Sequence, residues 1–251
     1  MAPRLKWLTL LFLTWAVLIP QAAEAEDRAW SVAVSGFGGK AFLVNGNVDI
    51  NCGDTCSGGS PFHGTARGVN HNDDGVFGAK ITAWYLRKNY DWQPNIGLEL
   101  DWTRFTADLD PQTQGAVGTV STPGFQLGSF TFTQREFSVN TLAVNLLARY
   151  PIGVTASLPE GRWYPYVGIG GGVQRTTMTY VATGARETDY APAFQALAGV
   201  KVFLFRNLAI FGEWKRTMAT HSFGYNGTLG DRHDKWTVAA NHVVGGLSLH
   251  F

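Results

Sequence analysis

The sequence is poor in cysteine, methionine and charge, and it has no long apolar run beyond its first 25 residues. Two cysteines, three methionines and 16% charged residues occur in 251 positions. A membrane-spanning helix needs about 18 or more consecutive apolar residues, and no later segment approaches that length. Two cysteines without a second pair also make a poor zinc site. These absences argue against helical membrane spans and against a zinc-stabilised domain.

The first residues have the organisation of a secretory signal peptide. Two basic residues precede an apolar stretch from Trp7 to Ile19, which is too short to cross a bilayer as a helix. Ala23 and Ala25 then form the small-residue pattern of a cleavage site. The sequence therefore predicts a signal peptide at 1–25 and one mature domain at 26–251, with an uncleaved membrane anchor as the alternative.

The mature domain has no excess of either charge. Removal of the leader takes away Arg4, Lys6 and Glu24, which leaves 18 basic and 18 acidic residues. A nucleic-acid-binding protein normally carries a basic excess or a basic stripe. Neither is present, so the sequence predicts no nucleic-acid partner.

Apolar residues are instead distributed by alternation. At the C-terminus, Leu247, Leu249 and Phe251 alternate with Ser248 and His250. This period of two is typical of a strand with one apolar face. Eight segments share the pattern, and each is long enough to cross a bilayer as a tilted strand. They are about Trp30–Lys40, Val76–Leu86, Asn95–Phe105, Ser138–Tyr150, Tyr164–Thr176, Pro192–Phe203, Leu208–Thr217 and Trp236–Phe251.

The connections between these segments alternate in length. Long polar connections are predicted at 41–74, 106–137, 177–191 and 218–235, and shorter ones at 87–94, 151–163 and 204–207. Open sheet edges cannot face lipid, because their backbone groups would lack hydrogen-bond partners. The sequence therefore predicts an all-β fold, an eight-stranded antiparallel up-and-down transmembrane β-barrel with both termini periplasmic.

The charged residues of the predicted strands all lie opposite the apolar face. In a water-soluble barrel this charged face would be outside, but the signal peptide and the aromatics near strand ends favour lipid outside. The interior of an eight-stranded barrel is just wide enough for side chains, and buried charges need partners. We therefore expect an ion-pair network that fills the lumen, with a narrow gated path for small solutes as the alternative. Its members are Lys80, Glu99, Asp101, Arg149, Lys201, Glu213 and Lys215.

Three stretches resemble a known family. The run Tyr164-Pro165-Tyr166-Val167-Gly168-Ile169-Gly170-Gly171-Gly172-Val173, the closing Gly245-Gly246-Leu247-Ser248-Leu249-His250-Phe251 and Phe211-Gly212-Glu213-Trp214 are similar to strands of the small eight-stranded outer-membrane β-barrels. That family includes opacity-type proteins and the membrane domain of outer-membrane protein A.

The resemblance implies a porin-like barrel in the outer membrane of a Gram-negative bacterium. Its implied partners are outer-membrane lipids, lipopolysaccharide and the barrel assembly machinery, which would engage the strand that ends at Phe251. The roles of the family include adhesion, surface protection, membrane integrity and small pores. None of these roles maps onto particular residues of this chain, and an extracellular ligand is left unidentified.

Two cysteines, Cys52 and Cys56, lie in the first long connection. Exported proteins meet an oxidising compartment, so a disulfide between them is expected. Free thiols are the alternative, and a metal site is disfavoured by the lack of further ligands.

Other polar groups give weak signals for a metal. The segment 70–75 is rich in oxygen ligands but lacks the spacing and closing glutamate of a calcium loop, so a polar turn is expected there. His63, His71, His221 and His233 lie in predicted long connections and could bind a transition metal. Scattered loop histidines more often meet water, and no cofactor is expected.

An enzymatic interpretation would rest on His221 and Ser222, because some small outer-membrane barrels are lipid A deacylases that use serine and histidine. Adjacent residues of a strand point to opposite faces, so these two could not readily share a proton. Phe125, Phe130 and Phe132 of the connection 107–134 suggest either a recognition surface or an extended hairpin. We expect a non-enzymatic structural or surface protein, with a narrow channel as the alternative and a lipid-processing enzyme third.

Overall fold

The computed structural model describes residues 29–52, 62–87, 90, 92–120, 129–227 and 230–251. The predicted signal peptide and Cys56 lie outside these residues, as does the side chain of Cys52. Within the described ranges no helix could cross a membrane. The described strands are β1 (Trp30–Leu43), β2 (Gly46–Cys52), β3 (Phe62–Val69), β4 (Asp74–Tyr85), β5 (Asn95–Leu109), β6 (Gln112–Val120), β7 (Ser129–Phe132), β8 (Arg135–Arg149), β9 (Trp163–Tyr180), β10 (Arg186–Phe205), β11 (Leu208–Gly227) and β12 (Gly230–His250).

Eight of these strands form a closed antiparallel ring in the order β1, β4, β5, β8, β9, β10, β11, β12. The ring closes between β1 and β12, from the pair Ala33 and His250 to the pair Leu43 and Ala240. Closure gives every strand of the ring two neighbours and so removes the unpaired edges that lipid cannot solvate. The eight-stranded barrel is confirmed, and each of the eight predicted segments overlaps one strand of the ring.

The long connections are not the polar loops that the sequence predicts. β2 continues the line of β1 after a break at 44–45, and the two pair in succession with β12. β3, β6 and β7 then add to β2 and extend the sheet beyond one rim of the barrel; we call this extension the outer sheet. The part of β12 near Gly230 lies beyond the ring and offers backbone hydrogen-bond partners to β2, so this connection forms strands although its side chains alternate only weakly. Of the two interpretations given for the connection 107–134, the structure contains a hairpin, because β6 and β7 pair with each other.

The faces of the strands follow the predicted alternation. In β5, Ile96, Leu98, Leu100 and Trp102 point outward with 39–53% of their surface exposed. Glu99 and Asp101, which lie between them, are buried inside the ring. The apolar face therefore forms the exterior of the barrel, which excludes the arrangement of a water-soluble barrel.

Interior aromatic rings are packed against glycines of the neighbouring strand. Trp84 lies directly across from Gly97, and Tyr166 across from Gly199. A Cβ atom on Gly97 would come within 2.6 Å of the Trp84 ring, and one on Gly199 within 2.6 Å of the Tyr166 hydroxyl. Each ring therefore occupies the space that a side chain on the facing residue would fill. This arrangement lets a narrow lumen hold several large aromatic side chains.

Candidate functional site

The centre of the lumen contains a chain of alternating charges. The ammonium group of Lys80 hydrogen bonds to the carboxylate of Glu213 and lies 3.5 Å from Glu99 Oε2. Lys215 Nζ lies 2.5 Å from Asp101 Oδ2 and 3.7 Å from Glu213 Oε1. Glu213 is thus shared by two lysines, and the chain runs Glu99, Lys80, Glu213, Lys215, Asp101 across the barrel.

Neutral donors add hydrogen bonds to two of the carboxylates. Glu99 accepts hydrogen bonds from Thr82 at 3.0 Å and from the Asn145 amide at 3.1 Å. Glu213 accepts one from the Tyr166 hydroxyl at 2.7 Å. The donors and charges come from β4, β5, β8, β9 and β11, so the network joins strands on opposite sides of the lumen. Such charge-assisted hydrogen bonds are the stronger ones in proteins and offset part of the cost of burying ions.

Water does not reach this network from either end. The side chains of Lys80 and Glu99 are 1% exposed, and those of Asp101, Glu213 and Lys215 are 0% exposed. Lys80 Nζ also lies 4.6 Å from the centre of the Phe211 ring and 5.6 Å from that of Tyr166. These two rings belong to separate buried apolar clusters, one towards the outer sheet and one towards the end of the ring where β1 begins and β12 ends. The charged layer is therefore enclosed between two apolar layers.

Arg149 is not part of the central chain. Its guanidinium lies between the rings of Trp84 and Tyr164, 4.5 Å from the centre of each, and Nη1 donates to Glu160 Oε2 at 2.8 Å. Glu160 lies in the connection between β8 and β9 and folds over the end of the lumen. It also accepts a hydrogen bond from Ser31 at 2.7 Å.

Glu160 is the functional residue that the sequence analysis missed. A carboxylate in a polar connection carries no periodicity, and the nearest local signal is Gly161, whose φ of 87° marks a tight turn. Lys201, which was expected in the network, instead donates to Ser248 Oγ at 2.9 Å. No carboxylate of the described residues forms an ion pair with it.

Acidification should weaken the barrel through Glu160. Burial raises the pKa of this carboxyl, but His250 and Arg149 outweigh that effect and lower the pKa from 4.5 to about 2. A lowered pKa stabilises the fold fully above pH 4.5, and this contribution is lost as the pH falls towards 2. Glu160→Gln should therefore flatten the pH dependence of the unfolding free energy between pH 4.5 and 2. Urea titrations at several pH values test this, and equally steep curves for both proteins would contradict it.

A second polar cluster lies nearer the outer rim. His221 Nδ1 is 3.1 Å from Asp189 Oδ2, and its Nε2 is 3.0 Å from Thr176 Oγ1 and from Gln174 Oε1. The expectation that His221 is a loop residue is wrong, because β11 extends past it and turns it inward. Ser222 is exposed on the opposite face, as the strand geometry predicts, so the two do not form a catalytic pair.

The remaining histidines do not meet at one place. Among the described residues no three histidine, cysteine or acidic side chains are grouped to hold a metal ion. His71 packs against the rings of Phe137 and Trp236, and burial lowers its pKa to about 4. It is therefore a neutral packing residue. The segment 70–73 is a short irregular connection between β3 and β4, and the last two residues of the predicted polar turn, 74–75, belong to β4.

No family model and no curated protein matches the chain. Solved structures do match it. Neisserial surface protein A is 15% identical, with 89% of this chain and 98% of that chain covered and a TM-score of 0.39. OprG from Pseudomonas aeruginosa is 14% identical, with 89% and 96% covered and a TM-score of 0.42. The outer membrane protease OmpT from Escherichia coli is 8% identical, with 91% and 100% covered and a TM-score of 0.42.

In fold, the chain resembles the small outer-membrane β-barrel proteins. The matched structures include a surface protein and an outer membrane protease. With TM-scores below 0.5 they carry no argument about this chain, so the role of this barrel has to be argued from its own lumen and surfaces.

Proposed function

We propose that the protein is a non-enzymatic outer-membrane barrel whose lumen is closed and whose outer sheet is its interaction surface. The observation that carries the proposal is the charged layer, in which five ionised side chains are at most 1% exposed. A water-filled path along the lumen would leave some of these groups accessible to solvent. Ion pairing across the barrel makes them a plug that ties opposite strands together.

The proposed orientation follows from the two ends of the ring. The start of β1 lies beside the C-terminal residue, since Phe251 N donates to Val32 O at 2.9 Å. The short connections 150–162 and 206–207 lie at the same end, which suits the periplasmic side. β2, β3, β6 and β7 extend the opposite end, where a rigid sheet presents side chains to the outside. β12 ends beside Phe251 and would be the strand that the barrel assembly machinery engages.

Conductance tests the closed lumen. Wild-type protein reconstituted into planar bilayers should give no single-channel steps, while a known porin reconstituted in the same way does. The reason is that Lys80 and Glu213 leave no water-filled space between them. Steps whose number grows with the amount of folded protein would overturn the proposal and favour a narrow channel.

The absence of catalysis is tested separately. Lipid A incubated with the purified barrel should keep its mass, because His221 is buried and Ser222 faces away from it. Loss of an acyl chain that depends on either residue would identify a lipid-processing enzyme instead.

A further inference from the structure

A groove of about 820 Å³ lies on the outside of the barrel wall, at the junction between the ring and the outer sheet. It forms where β1 ends and β2 begins, so that β12 changes partner there. Val44 N donates to Ala239 O at 2.9 Å and fixes the change of partner. The lining comes from exterior residues of β11 and β12 on one side and from β2, β3 and β6 on the other. This volume lies within the range of small-molecule sites, about 300–1,000 Å³.

Three cations line this groove and one carboxylate opposes them. Arg67, Arg216 and Lys235 are all exposed there, and none makes an ion pair with any described residue. Asp49 lies opposite Lys235 in the strand register, but its carboxylate is held by the Thr65 hydroxyl at 2.7 Å. The groove therefore has an excess of positive charge that the protein does not neutralise.

The wall directly below the groove is apolar. On β11, Trp214 and Ile210 are 44% and 41% exposed, and on β12, Val243 and Leu247 are 55% and 57% exposed. Arg216 follows Trp214 by two residues on the same face, which is about 7 Å along the strand. The cations therefore begin where the hydrocarbon-facing surface ends. An occupant that satisfies both surfaces has an anionic head and apolar chains.

We propose that this groove binds the phosphorylated headgroup of lipid A from the outer leaflet, with the acyl chains along Trp214 and Val243. The inference rests on the proposed outer-membrane location. Phosphate is the fitting head because an arginine can donate two parallel hydrogen bonds to a phosphate group, and the lining offers two arginines and a lysine to the phosphates of lipid A. Thr220 and Thr237, which share a hydrogen bond at 3.1 Å, line the groove and offer hydroxyls to a sugar.

The chain supplies a matched control for the charges. Arg104 on β5 and Arg175 on β9 are exposed exterior arginines above the same apolar band, but neither lines the groove. Their shared register partner is Asn140 of β8. Replacing them removes the same number of positive charges from above the apolar band without touching the groove.

The test measures binding of bisphosphorylated lipid A to the full mature barrel in detergent micelles, by native mass spectrometry and by titration of tryptophan fluorescence. Arg216→Gln/Lys235→Gln should weaken binding at least about tenfold, because two charged contacts are lost. Arg104→Gln/Arg175→Gln should change it less than about twofold. Wild-type protein should bind dephosphorylated lipid A as weakly as the groove variant does, and inorganic phosphate should not compete at millimolar concentration. Heat-modifiable mobility of unboiled protein checks that both variants fold.

Equal losses in the two double variants would overturn the proposal, since binding would then follow net charge alone. Equal affinity for lipid A with and without phosphates would also overturn it. Competition by free phosphate would show that the groove binds a soluble anion rather than the lipid. These outcomes are separable from the proposed function, because a conducting barrel could still bind lipid A in this groove, and a closed one could fail to.

Discussion

Glu213→Gln should lower the free energy of unfolding by about 3–5 kcal/mol, the range seen when one partner of a buried ion pair is removed. Glutamine keeps the shape of the side chain but leaves the ammonium groups of Lys80 and Lys215 without their shared carboxylate. Urea titration of the protein in lipid vesicles, followed by tryptophan fluorescence, measures the loss. The matched control is Glu136→Gln on β8, where the side chain is exposed and the change should stay within about 0.5 kcal/mol.

A second variant keeps this prediction testable if the first does not fold. Glu213→Gln leaves two ammonium groups without their shared carboxylate, and adding Lys80→Met removes one of these two groups. The double variant should therefore fold even if Glu213→Gln does not, and where both fold it should be less destabilised than the sum of its single changes, as expected for residues in one network. Additive effects, or a loss in Glu213→Gln no larger than that in Glu136→Gln, would show that the lumen charges do not act as a network.

Leu146→Arg should destabilise the barrel by about 2–4 kcal/mol, the cost of an arginine on the lipid face near the middle of the bilayer. Leu146 is 53% exposed, and its register neighbours are Leu98 and Ile169, which are themselves exposed and apolar. The control is Ser138→Arg, which lies on the same face of β8 beyond its apolar residues and has Thr106 and Thr177 as register neighbours. There the cost should fall to about 0–1 kcal/mol.

This pair of variants separates a lipid-facing exterior from a water-facing one. On a water-facing wall, an arginine at either position would be tolerated alike. Unfolding in vesicles that differ only in acyl-chain length provides a further check. The Leu146→Arg variant should respond to thickness more strongly than Ser138→Arg, and equal responses would contradict the assigned exterior.

The sequence predicts the ring well because alternation is a local property. Each strand of the ring repeats apolar and small or polar residues, as Leu98 and Glu99 do, and this pattern places a residue inside or outside without knowledge of its neighbours. The same reasoning predicted the buried positions of Lys80 and Glu213. Which lysine meets which carboxylate depends on register and on the shear of the barrel, and neither can be obtained from one strand alone.

The structural features that the sequence does not predict depend on long-range contacts. β2 and β3 form because β12 extends past the membrane and offers backbone partners, a fact that their own weak alternation does not encode. Glu160 reaches the lumen because the connection that carries it folds back beneath Arg149. Gly97 and Gly199 are explained only when the ring on the neighbouring strand is known. In each case the residue type is compatible with several environments, and tertiary packing selects one.

The most direct test of a barrel with its apolar face towards lipid and its charges inside is a nitroxide scan along the outward face of β8 in lipid vesicles. Single labels are placed at Ser138, Asn140, Leu142, Val144 and Leu146, and their collisions with oxygen and with a water-soluble nickel complex are compared. We predict high oxygen and negligible nickel collision rates at Leu142, Val144 and Leu146, with nickel collisions rising at Asn140 and Ser138. High nickel collision rates at Val144 and Leu146 would place this face in water and contradict the account.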